Sequence, residues 1–265
     1  MRLAIRSRFA RLFTGLCVVA ITLAAPALAD PNALWIITHD KCVPDQERRD
    51  DPAPCALVDL AGGERGGYVV LKDLVGATQF LLIPTDRIDG IESPELLEPG
   101  APNYFAAAWR ARSFVEQRAG TSIPRDWMSL AINSAVARSQ NQLHIHVDCV
   151  RADVREALLR NVNGLGPTWT PFPEPLAGHD YLATVVAGDD LDGVDPFVML
   201  ADGVVGAKAD MGAETLVVVG AYLADGRPGF VLLSDRADPA AGVEAGGEEL
   251  QNHDACPPPR GQWSK

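Results

Sequence analysis

Two histidines stand two positions apart in the middle of the sequence, where they could act together on an anionic group. The segment around them alternates apolar and polar side chains: Leu143, His144, Ile145, His146, Val147 and Asp148. This period of two predicts a β-strand with one apolar face and one face that carries the polar groups. Because alternate residues lie about 7 Å apart along a strand, the two imidazoles are expected side by side.

Three explanations would account for a pair of histidines on one strand face. One imidazole can be a hydrogen-bonded core group and the other exposed, which explains a single histidine better than two. The pair can bind a metal, with Asp148, His39 or His179 as a third ligand, although no other motif has diagnostic metal-binding spacing. Finally, one imidazole can attack phosphorus while the neighbouring groups hold the anion.

The elements that must position these groups follow from the apolar pattern of the first half. Strands are predicted over residues 68–71, 79–83 and 128–133. Helices are predicted over residues 32–39 and 153–160, and from Asn103 onward with Asn103 as the N-cap. The polar segment 45–54 is predicted to be a loop.

The second half is predicted to be rich in strands. Pro167 to Pro175 contains four prolines, which favours a linker or a long surface excursion. Apolar runs that are predicted as strands follow over residues 181–187, 197–200, 215–223 and 229–233. No second His-x-His pair occurs there. The motifs of Rossmann nucleotide sites, P-loops and serine hydrolases are also absent from the sequence.

The histidine strand and the residues before it carry a family resemblance. Asn133 is followed seven residues later by Gln140 and then by the His-x-His pair. This segment resembles the nucleotide-binding strand pair of the histidine-triad superfamily. A wider set of segments includes residues 33–35, 41–44, 52–55, 67–73, 81–88, 90–97 and 139–146. Together they resemble the CDP-diacylglycerol pyrophosphatase family over nearly the whole mature chain.

The resemblance implies an α+β fold with a histidine-triad-like (HIT-like) antiparallel sheet and flanking helices. Histidine-triad proteins are often small homodimers, so a chain of this length is expected to contain two fused HIT-like halves. Residues 30–165 would form the catalytic half, and residues 166–265 a second, β-rich half without a site. The expected assembly is a monomer with pseudo-dimeric halves.

The resemblance also implies a reaction, the hydrolysis of the pyrophosphate of CDP-diacylglycerol to CMP and phosphatidate. His146 would be the nucleophile and would form a covalent nucleotidyl-histidine intermediate that water then cleaves. His144, Asn133, Gln140 and Asn141 would orient His146, the phosphate oxygens or the leaving group. This chemistry needs no dedicated metal or other cofactor, although a divalent ion could accompany the substrate.

Asp148 departs from the family pattern, because it stands where the third histidine of the triad would be. A carboxylate there would repel phosphate unless it were turned away, hydrogen-bonded or protonated. It could lie outside the phosphate shell, or it could orient an imidazole. Two other functions stay open: a different nucleoside-diphosphate-X hydrolase or nucleotidyl transferase, and an exported nucleotide- or metal-binding protein without turnover.

The remaining histidines and one lysine are weaker site candidates. His39, Lys72 and His253 are expected at the surface. His179 is expected to be structural.

Residues 1–29 predict an export segment. Four arginines precede an apolar run over residues 12–25, and Ala27-Leu28-Ala29 fits a signal cleavage site. The run is shorter than the ~20 apolar residues of a spanning helix, so a cleaved signal peptide is favoured over an N-terminal anchor. We therefore expect a periplasmic protein, attached to the inner membrane if the segment is retained.

Charge and cysteine content agree with export. Without residues 1–29, the chain has 19 basic and 35 acidic residues, a formal charge of −16, which argues against nucleic-acid binding and broad adhesion to anionic membranes. Its four cysteines predict two disulfides, for which three pairings exist. We favour Cys42–Cys55, which closes a proline-rich loop, and Cys149–Cys256, which ties the C-terminal segment to the histidine strand.

Overall fold

Nine strands form a single antiparallel sheet in the computed structural model, which describes residues 30–258. In chain order the strands are β1 Leu57–Asp59, β2 Tyr68–Lys72, β3 Phe80–Pro84, β4 Met128–Ile132, β5 Ile145–Cys149, β6 Thr170–Pro171, β7 Leu182–Ala187, β8 Leu216–Tyr222 and β9 Pro228–Ser234. Across the sheet their order is β1-β2-β3-β5-β4-β8-β9-β7-β6. The predicted α+β class is confirmed, and the predicted export segment lies outside the described residues.

Five α-helices accompany the sheet in this part of the chain. They are α1 Ala33–Ile37, α2 Val43–Arg49, α3 Tyr104–Ala119, α4 Ala152–Asn161 and α5 Pro196–Gly203. A π-helical turn over Thr38–Cys42 joins α1 to α2, so the first helical segment is longer than predicted. The loop prediction over 45–54 is therefore wrong for its first residues. Pro44 lies in the first turn of α2, directly after the π-helical turn.

Helix α3 covers the sheet face opposite the histidines. Its predicted N-cap is confirmed, because the Asn103 side chain accepts a hydrogen bond from the Ala106 N–H at 2.9 Å. The helix ends at Gly120, whose φ of +69° suits glycine. Phe80 on β3 packs against Phe114 of α3 with ring centroids 5.7 Å apart. Phe80 also pairs with Val147, so the apolar face of β5 points toward this helix.

The opposite face of the sheet carries the histidines at its centre. Residues that pair directly across antiparallel strands point to the same face. His146 pairs with Leu81 on β3 and with Ala131 on β4. Leu81 in turn belongs to a buried apolar cluster that includes Leu34 of α1 and Val43 of α2. The N-terminal helices therefore cover this face beside the histidine strand.

The order of elements in the first half recurs in the second. The first half runs hairpin β2–β3, helix α3, hairpin β4–β5, and the second runs hairpin β6–β7, helix α5, hairpin β8–β9. Strands β4 and β8 meet at the middle of the sheet, where Ala131 lies opposite Val217. Going outward from that join, the order is β5, β3, β2 on one side and β9, β7, β6 on the other.

Two predictions in the second half need correction. Residues 197–200 were expected to form a strand, but they lie in α5. Asp195 caps this helix by accepting a hydrogen bond from the Phe197 N–H at 2.9 Å, and Pro196 begins it. An apolar run of four residues cannot distinguish a strand from a buried helix, whereas the Asp-Pro pair is a helix-start signal. The proline-rich segment contains β6, which lies at the sheet edge, where proline is tolerated.

Both predicted disulfides are present. Cys42 bonds to Cys55, and Cys149 bonds to Cys256 across 107 residues of sequence. The second bond joins the C-terminal segment to the last residue of β5. Two disulfides are typical of an oxidising, exported environment. Within residues 30–258, no helix has the length and apolar character needed to cross a membrane.

Candidate active site

The two imidazoles lie side by side, as their spacing predicts. His146 lies on β5, and His144 immediately precedes the strand. Their ring centroids are 4.9 Å apart, and both side chains are buried. The pair therefore forms a small imidazole surface that water contacts only slightly.

His144 is held in one tautomer by the backbone. Its Nδ1 lies 2.7 Å from the carbonyl oxygen of Gln142. A carbonyl oxygen only accepts, so Nδ1 carries a proton and donates it, which leaves Nε2 as an acceptor in the neutral ring. Burial, with a smaller contribution from the neighbouring His146, lowers the pKa of His144 to about 4. The ring is therefore neutral near pH 7.

His146 has one nitrogen surrounded by polar groups and one without a partner. Its Nδ1 lies 2.6 Å from Gln79 Nε2, 3.3 Å from a Glu248 carboxylate oxygen and 3.8 Å from one of Asp73. Its Nε2 is buried and has no hydrogen-bond partner among the described residues. Burial lowers the pKa of His146 well below its ordinary value, although the nearby Asp73 carboxylate opposes this shift.

Gln79 connects His146 to two further residues. Its amide nitrogen donates to the Asp73 carboxylate at 2.8 Å, and its amide oxygen accepts from His253 Nδ1 at 2.6 Å. The expectation that His253 lies on the surface is therefore wrong: the residue is half-buried and contacts this network. It comes close because the Cys149–Cys256 disulfide fixes the C-terminal segment beside β5.

Asn133, a predicted substrate-binding residue, contacts the same network. Its side-chain nitrogen donates to the Glu248 carboxylate at 2.9 Å, and its side-chain oxygen accepts from the Glu248 N–H at 3.2 Å. Three residues further on, Gln251 donates to the carbonyl oxygen of His146 at 3.2 Å. The segment 248–253 thus holds both the side chain and the backbone of His146.

Gln140 and Asn141, the other two predicted substrate contacts, bind the N-terminal segment instead. The Gln140 amide accepts from the Leu34 N–H at 3.1 Å and donates to the Asp30 carbonyl at 2.9 Å. Asn141 is exposed, and its backbone N–H donates to the Pro31 carbonyl at 2.7 Å. No described hydrogen bond brings either side chain to the imidazoles, so a role in substrate binding stays a prediction.

Asp148 is fully buried, and its hydrogen bonds lead away from the imidazoles. One carboxylate oxygen accepts from the Thr78 hydroxyl at 2.8 Å and from the Cys149 N–H at 2.9 Å. Burial raises its pKa to about 7. Of the two placements left open by the sequence, the structure favours the one in which Asp148 does not orient an imidazole.

Two open cavities adjoin the network on the side of the C-terminal segment. One has a volume of about 550 Å³ and is lined by Val75, Arg151, Ala177, Glu248, Glu249, Gln251 and His253. The other, of about 540 Å³, shares Arg151, Gln251 and His253 with it. Since Glu248 and His253 also belong to the network around His146, these cavities border that network.

The family of the chain follows from a comparison of sequences. A sequence model of CDP-diacylglycerol pyrophosphatase matches residues 29–257. The chain belongs to the CDP-diacylglycerol pyrophosphatase family. It is therefore a hydrolase, and CDP-diacylglycerol is the substrate that the family implies. The match covers the histidine pair, the hairpin β2–β3 that carries Asp73 and Gln79, and the segment that carries Glu248 and His253.

Arg138 is a cation near the site of this pyrophosphatase that sequence reasoning did not single out. It lines a small cavity together with Asn133, His144 and Gly90. Its guanidinium donates to Glu92 at 2.5 Å, while its Nε is buried and has no hydrogen-bond partner among the described residues. A pyrophosphate needs positive partners in so acidic a protein, and Arg138 lines the same cavity as His144.

Sequence reasoning also missed Asp73, Gln79, Glu248 and Gln251. One usable signal existed for the last two, because the predicted Cys149–Cys256 bond places the residues before Cys256 beside the histidine strand. Asp73 and Gln79 lie at the ends of the connection between β2 and β3, where no motif indicated chemistry.

The remaining candidates lie apart from the imidazole pair or support its surroundings. His39 is exposed and stacks on Trp35, with ring centroids 4.6 Å apart. His179 lies 3.7 Å from Glu249. Lys72 is half-buried and donates to the carbonyls of Asp73 and Gly76. Within residues 30–258, no three His, Cys, Asp or Glu side chains are arranged to hold a metal ion.

Proposed function

We propose that the protein hydrolyses CDP-diacylglycerol to CMP and phosphatidate through a covalent nucleotidyl intermediate on His146. The observation that carries this proposal is the asymmetry of His146, whose Nδ1 is surrounded by polar groups while Nε2 has no hydrogen-bond partner among the described residues. A neutral imidazole is nucleophilic near pH 7 and needs no base to activate it. Burial keeps this ring neutral.

In the first step, His146 Nε2 attacks the phosphorus of the cytidylyl group. A P–N bond forms, the P–O bond to the bridging oxygen breaks, and phosphatidate leaves with the electron pair. In the second step, water attacks the same phosphorus. A new P–O bond forms, the P–N electron pair returns to Nε2, CMP is released, and the proton passes to solvent.

In the structure the Gln79 amide nitrogen donates to Nδ1, so the resting ring carries its proton on Nε2. Attack from Nε2 requires the other tautomer, in which Nδ1 carries the proton and the Gln79 amide has turned away from it. Glu248, 3.3 Å from Nδ1, is a suitable acceptor for that proton, and Asn133 holds the Glu248 carboxylate in place. Bond formation at Nε2 makes the ring cationic, and the carboxylates of Glu248 and Asp73 then stabilise the charge. Because they lie on the Nδ1 side, the ring separates them from the substrate phosphates.

His144 and Arg138 are the proposed partners of the phosphate oxygens. Both line the same small cavity, together with Asn133. A bound pyrophosphate favours the protonated form of His144 and therefore raises its pKa from the low value of the free enzyme. The protonated ring can then donate from Nε2 to a phosphate oxygen. Gln140 and Asn141 remain predicted substrate contacts that none of the described hydrogen bonds supports.

We also propose that the chain is a monomer of two fused histidine-triad-like halves, residues 30–165 and 166–265. The repeated order of hairpin, helix and hairpin supports this. Ala131 pairs with His146 on β5, and Val217, opposite Ala131, pairs with Leu233 on β9. Leu233 therefore occupies the place that matches His146, and the second half has no imidazole there.

The proposed location is the periplasm. Residues 1–29 would be a signal peptide, or an anchor in the inner membrane if they are retained. The two disulfides support an oxidising compartment.

The test uses CDP-diacylglycerol labelled with ³²P in the cytidylyl phosphate, mixed rapidly with the full chain and quenched at alkaline pH, where phosphohistidine survives. We expect label on the peptide that contains His146, and CMP release that resists a chelator. Substrate labelled in the phosphatidate phosphate is the matched control and should leave the protein unlabelled.

His146→Ala separates the parts of the proposal. Loss of both label and CMP release supports substrate and nucleophile together. CMP release that survives the substitution would overturn the mechanism but keep the substrate. A folded wild-type protein that releases no CMP would overturn the substrate.

A further inference from the structure

The connection between β2 and β3 exposes two neighbouring apolar side chains. Leu74 is 102% exposed and Val75 is 58% exposed. Single exposed apolar residues are ordinary on protein surfaces. Among the exposed large hydrophobic residues within 30–258, however, these two are the only pair that is adjacent in sequence. They form a small apolar tip, which we call the Leu74–Val75 tip.

The tip adjoins the network around His146. Its two flanking residues in the site are Asp73 and Gln79, both part of the network around His146. Val75 itself lines the cavity of about 550 Å³ together with Glu248 and His253. A surface that covered the tip would therefore also lie against this cavity, next to the network around His146.

The connection is anchored at its base, so the tip is held outward. The Val75 N–H donates to the Asp73 carboxylate at 3.1 Å, and the Ala77 N–H donates to the His253 carbonyl at 2.9 Å. Lys72 donates to the Gly76 carbonyl at 2.8 Å. These bonds fix the backbone on both sides of Leu74 and leave its side chain in solvent.

Basic side chains flank the tip, although the protein as a whole is acidic. Lys72 lies at its base, and Arg118 of α3 donates from Nε to the Ala77 carbonyl at 3.3 Å. The full sequence carries a formal charge of −12. An apolar tip with cations at its base matches the interface of a bilayer, where acyl chains lie beneath anionic headgroups.

We propose that the Leu74–Val75 tip inserts into the lipid bilayer that contains the substrate, while Lys72 and Arg118 contact anionic headgroups. The inference rests on the proposed function, because it takes CDP-diacylglycerol as the substrate. Its acyl chains would stay in the bilayer, and the bilayer would lie next to the network around His146. The tip would thus bind the protein to the bilayer that contains the substrate, and the imidazoles would carry out the hydrolysis.

The first test compares two forms of substrate, using the full chain. One is CDP-diacylglycerol in phosphatidylcholine vesicles with some phosphatidylglycerol, and the other is a short-chain CDP-diacylglycerol that is monomeric in water. Replacing Leu74 by serine should raise KM on vesicles roughly tenfold, since its apolar side chain loses its burial. It should leave kcat/KM on the monomeric substrate unchanged.

Val205→Ser is the matched control, because Val205 is also fully exposed and lies in the second half. It should change neither substrate's kinetics. An equal loss on both substrates would show that the tip only supports the site, and no loss on either would show that it does not dock. Both results would overturn the inference. Absence of hydrolysis with both substrates in the wild type would instead overturn the proposed function.

A second measurement needs no turnover. Cysteine is placed at position 74 or at position 205 and labelled with an environment-sensitive fluorophore. Substrate-free vesicles of phosphatidylcholine and phosphatidylglycerol should shift the emission to the blue for Leu74→Cys and not for Val205→Cys. A shift at both positions or at neither would contradict insertion of the tip.

Discussion

The hairpins β4–β5 and β8–β9 occupy matching places on either side of the sheet centre. On the same face of the sheet, however, the outer strand of the first carries polar side chains and that of the second carries apolar ones. β5 places His146 and Asp148 there, whereas β9 places Val231 and Leu233. All four side chains are buried. A strand of this sheet can therefore bury either polar or apolar residues, and what differs is the partner that neighbouring segments supply.

Polar burial in the first half depends on partners from distant parts of the chain. Gln79 from the edge of β3 and Glu248 from the C-terminal segment surround His146 Nδ1. In the second half, Val231 instead lines a small cavity with Leu158 and other residues of helix α4. The hairpin alone does not determine whether its buried side chains can be polar. The loops and helices that pack against the hairpin do, because they supply the hydrogen-bond partners.

The contrast is tested most strongly by giving β5 the apolar residue that stands at the matching place on β9. His146→Leu should lower CMP release at least about 10³-fold, because the nucleophile is lost while the surrounding groups remain. Circular dichroism should show a folded protein. Turnover within tenfold of wild type would contradict the assignment of chemistry to the first hairpin.

The reciprocal change affects stability rather than chemistry. Leu233→Ala should lower the free energy of unfolding by about 2–5 kcal/mol, because it leaves a cavity in a fully buried part of the sheet. Denaturant unfolding measures this loss, and CMP release per folded molecule should stay unchanged. A large loss of turnover in the folded variant would mean that the second half also takes part in catalysis.

Asp148→Asn removes a buried carboxyl that has no counterpart on β9. The pKa of Asp148 is raised from 3.8 to about 7, so between these pH values the folded state binds more protons than the unfolded state. Stability from this group is therefore lost as the pH rises from about 4 to 8. Relative to wild type, the variant should gain roughly 4 kcal/mol over that interval.

Thermal unfolding at pH 4 and pH 8 measures the difference, and activity should persist because the described hydrogen bonds of the Asp148 carboxyl go to Thr78 and Cys149 and not to an imidazole. An equal effect of the substitution at both pH values would contradict the raised pKa.

The smallest expected effect concerns Glu248, whose carboxylate comes from the C-terminal segment and lies beside His146 in the first half. Glu248→Gln should lower kcat about tenfold, since glutamine can still accept from Nδ1 but cannot neutralise the cationic ring. The Glu248 charge also raises the pKa of His144, so the acid limb of the pH profile should move to lower pH. Glu249→Gln is the matched control and should leave kcat and the profile unchanged. If kcat fell equally in both variants, the effect of Glu248 would be that of any acidic charge near the site and would not depend on its contact with His146.

Local patterns predicted much of the fold. The alternation around His144 and His146 predicted their adjacency, the Pro102-Asn103 pair predicted the start of α3, and cysteine parity predicted the two disulfides. These features depend on neighbours in sequence or on a small number of pairings. The strand prediction for the residues of α5 is wrong because it rests on a short apolar run alone and gives no weight to the helix cap at Asp195.

The candidate site was less predictable, because it is assembled from remote segments. Asn133 was found from its place in the family pattern, but its partner Glu248 lies 115 residues away. Gln140, another residue of the pattern, holds the start of α1 through its amide, and its role in substrate binding stays a prediction. Only tertiary contacts decide which polar side chains reach an imidazole.

The join between β4 and β8 has a consequence for how the protein is made. Until β8 is synthesised, β4 is an outer strand whose backbone N–H and C=O groups, between Ser129 and Ile132, lack their later partners. An apolar strand with an open edge is prone to pair with other chains. A ribosome-bound or truncated chain that ends near residue 165 would therefore be exposed to aggregation, and would lack Glu248 as well. Separating the halves by cleavage would create two such edges at once.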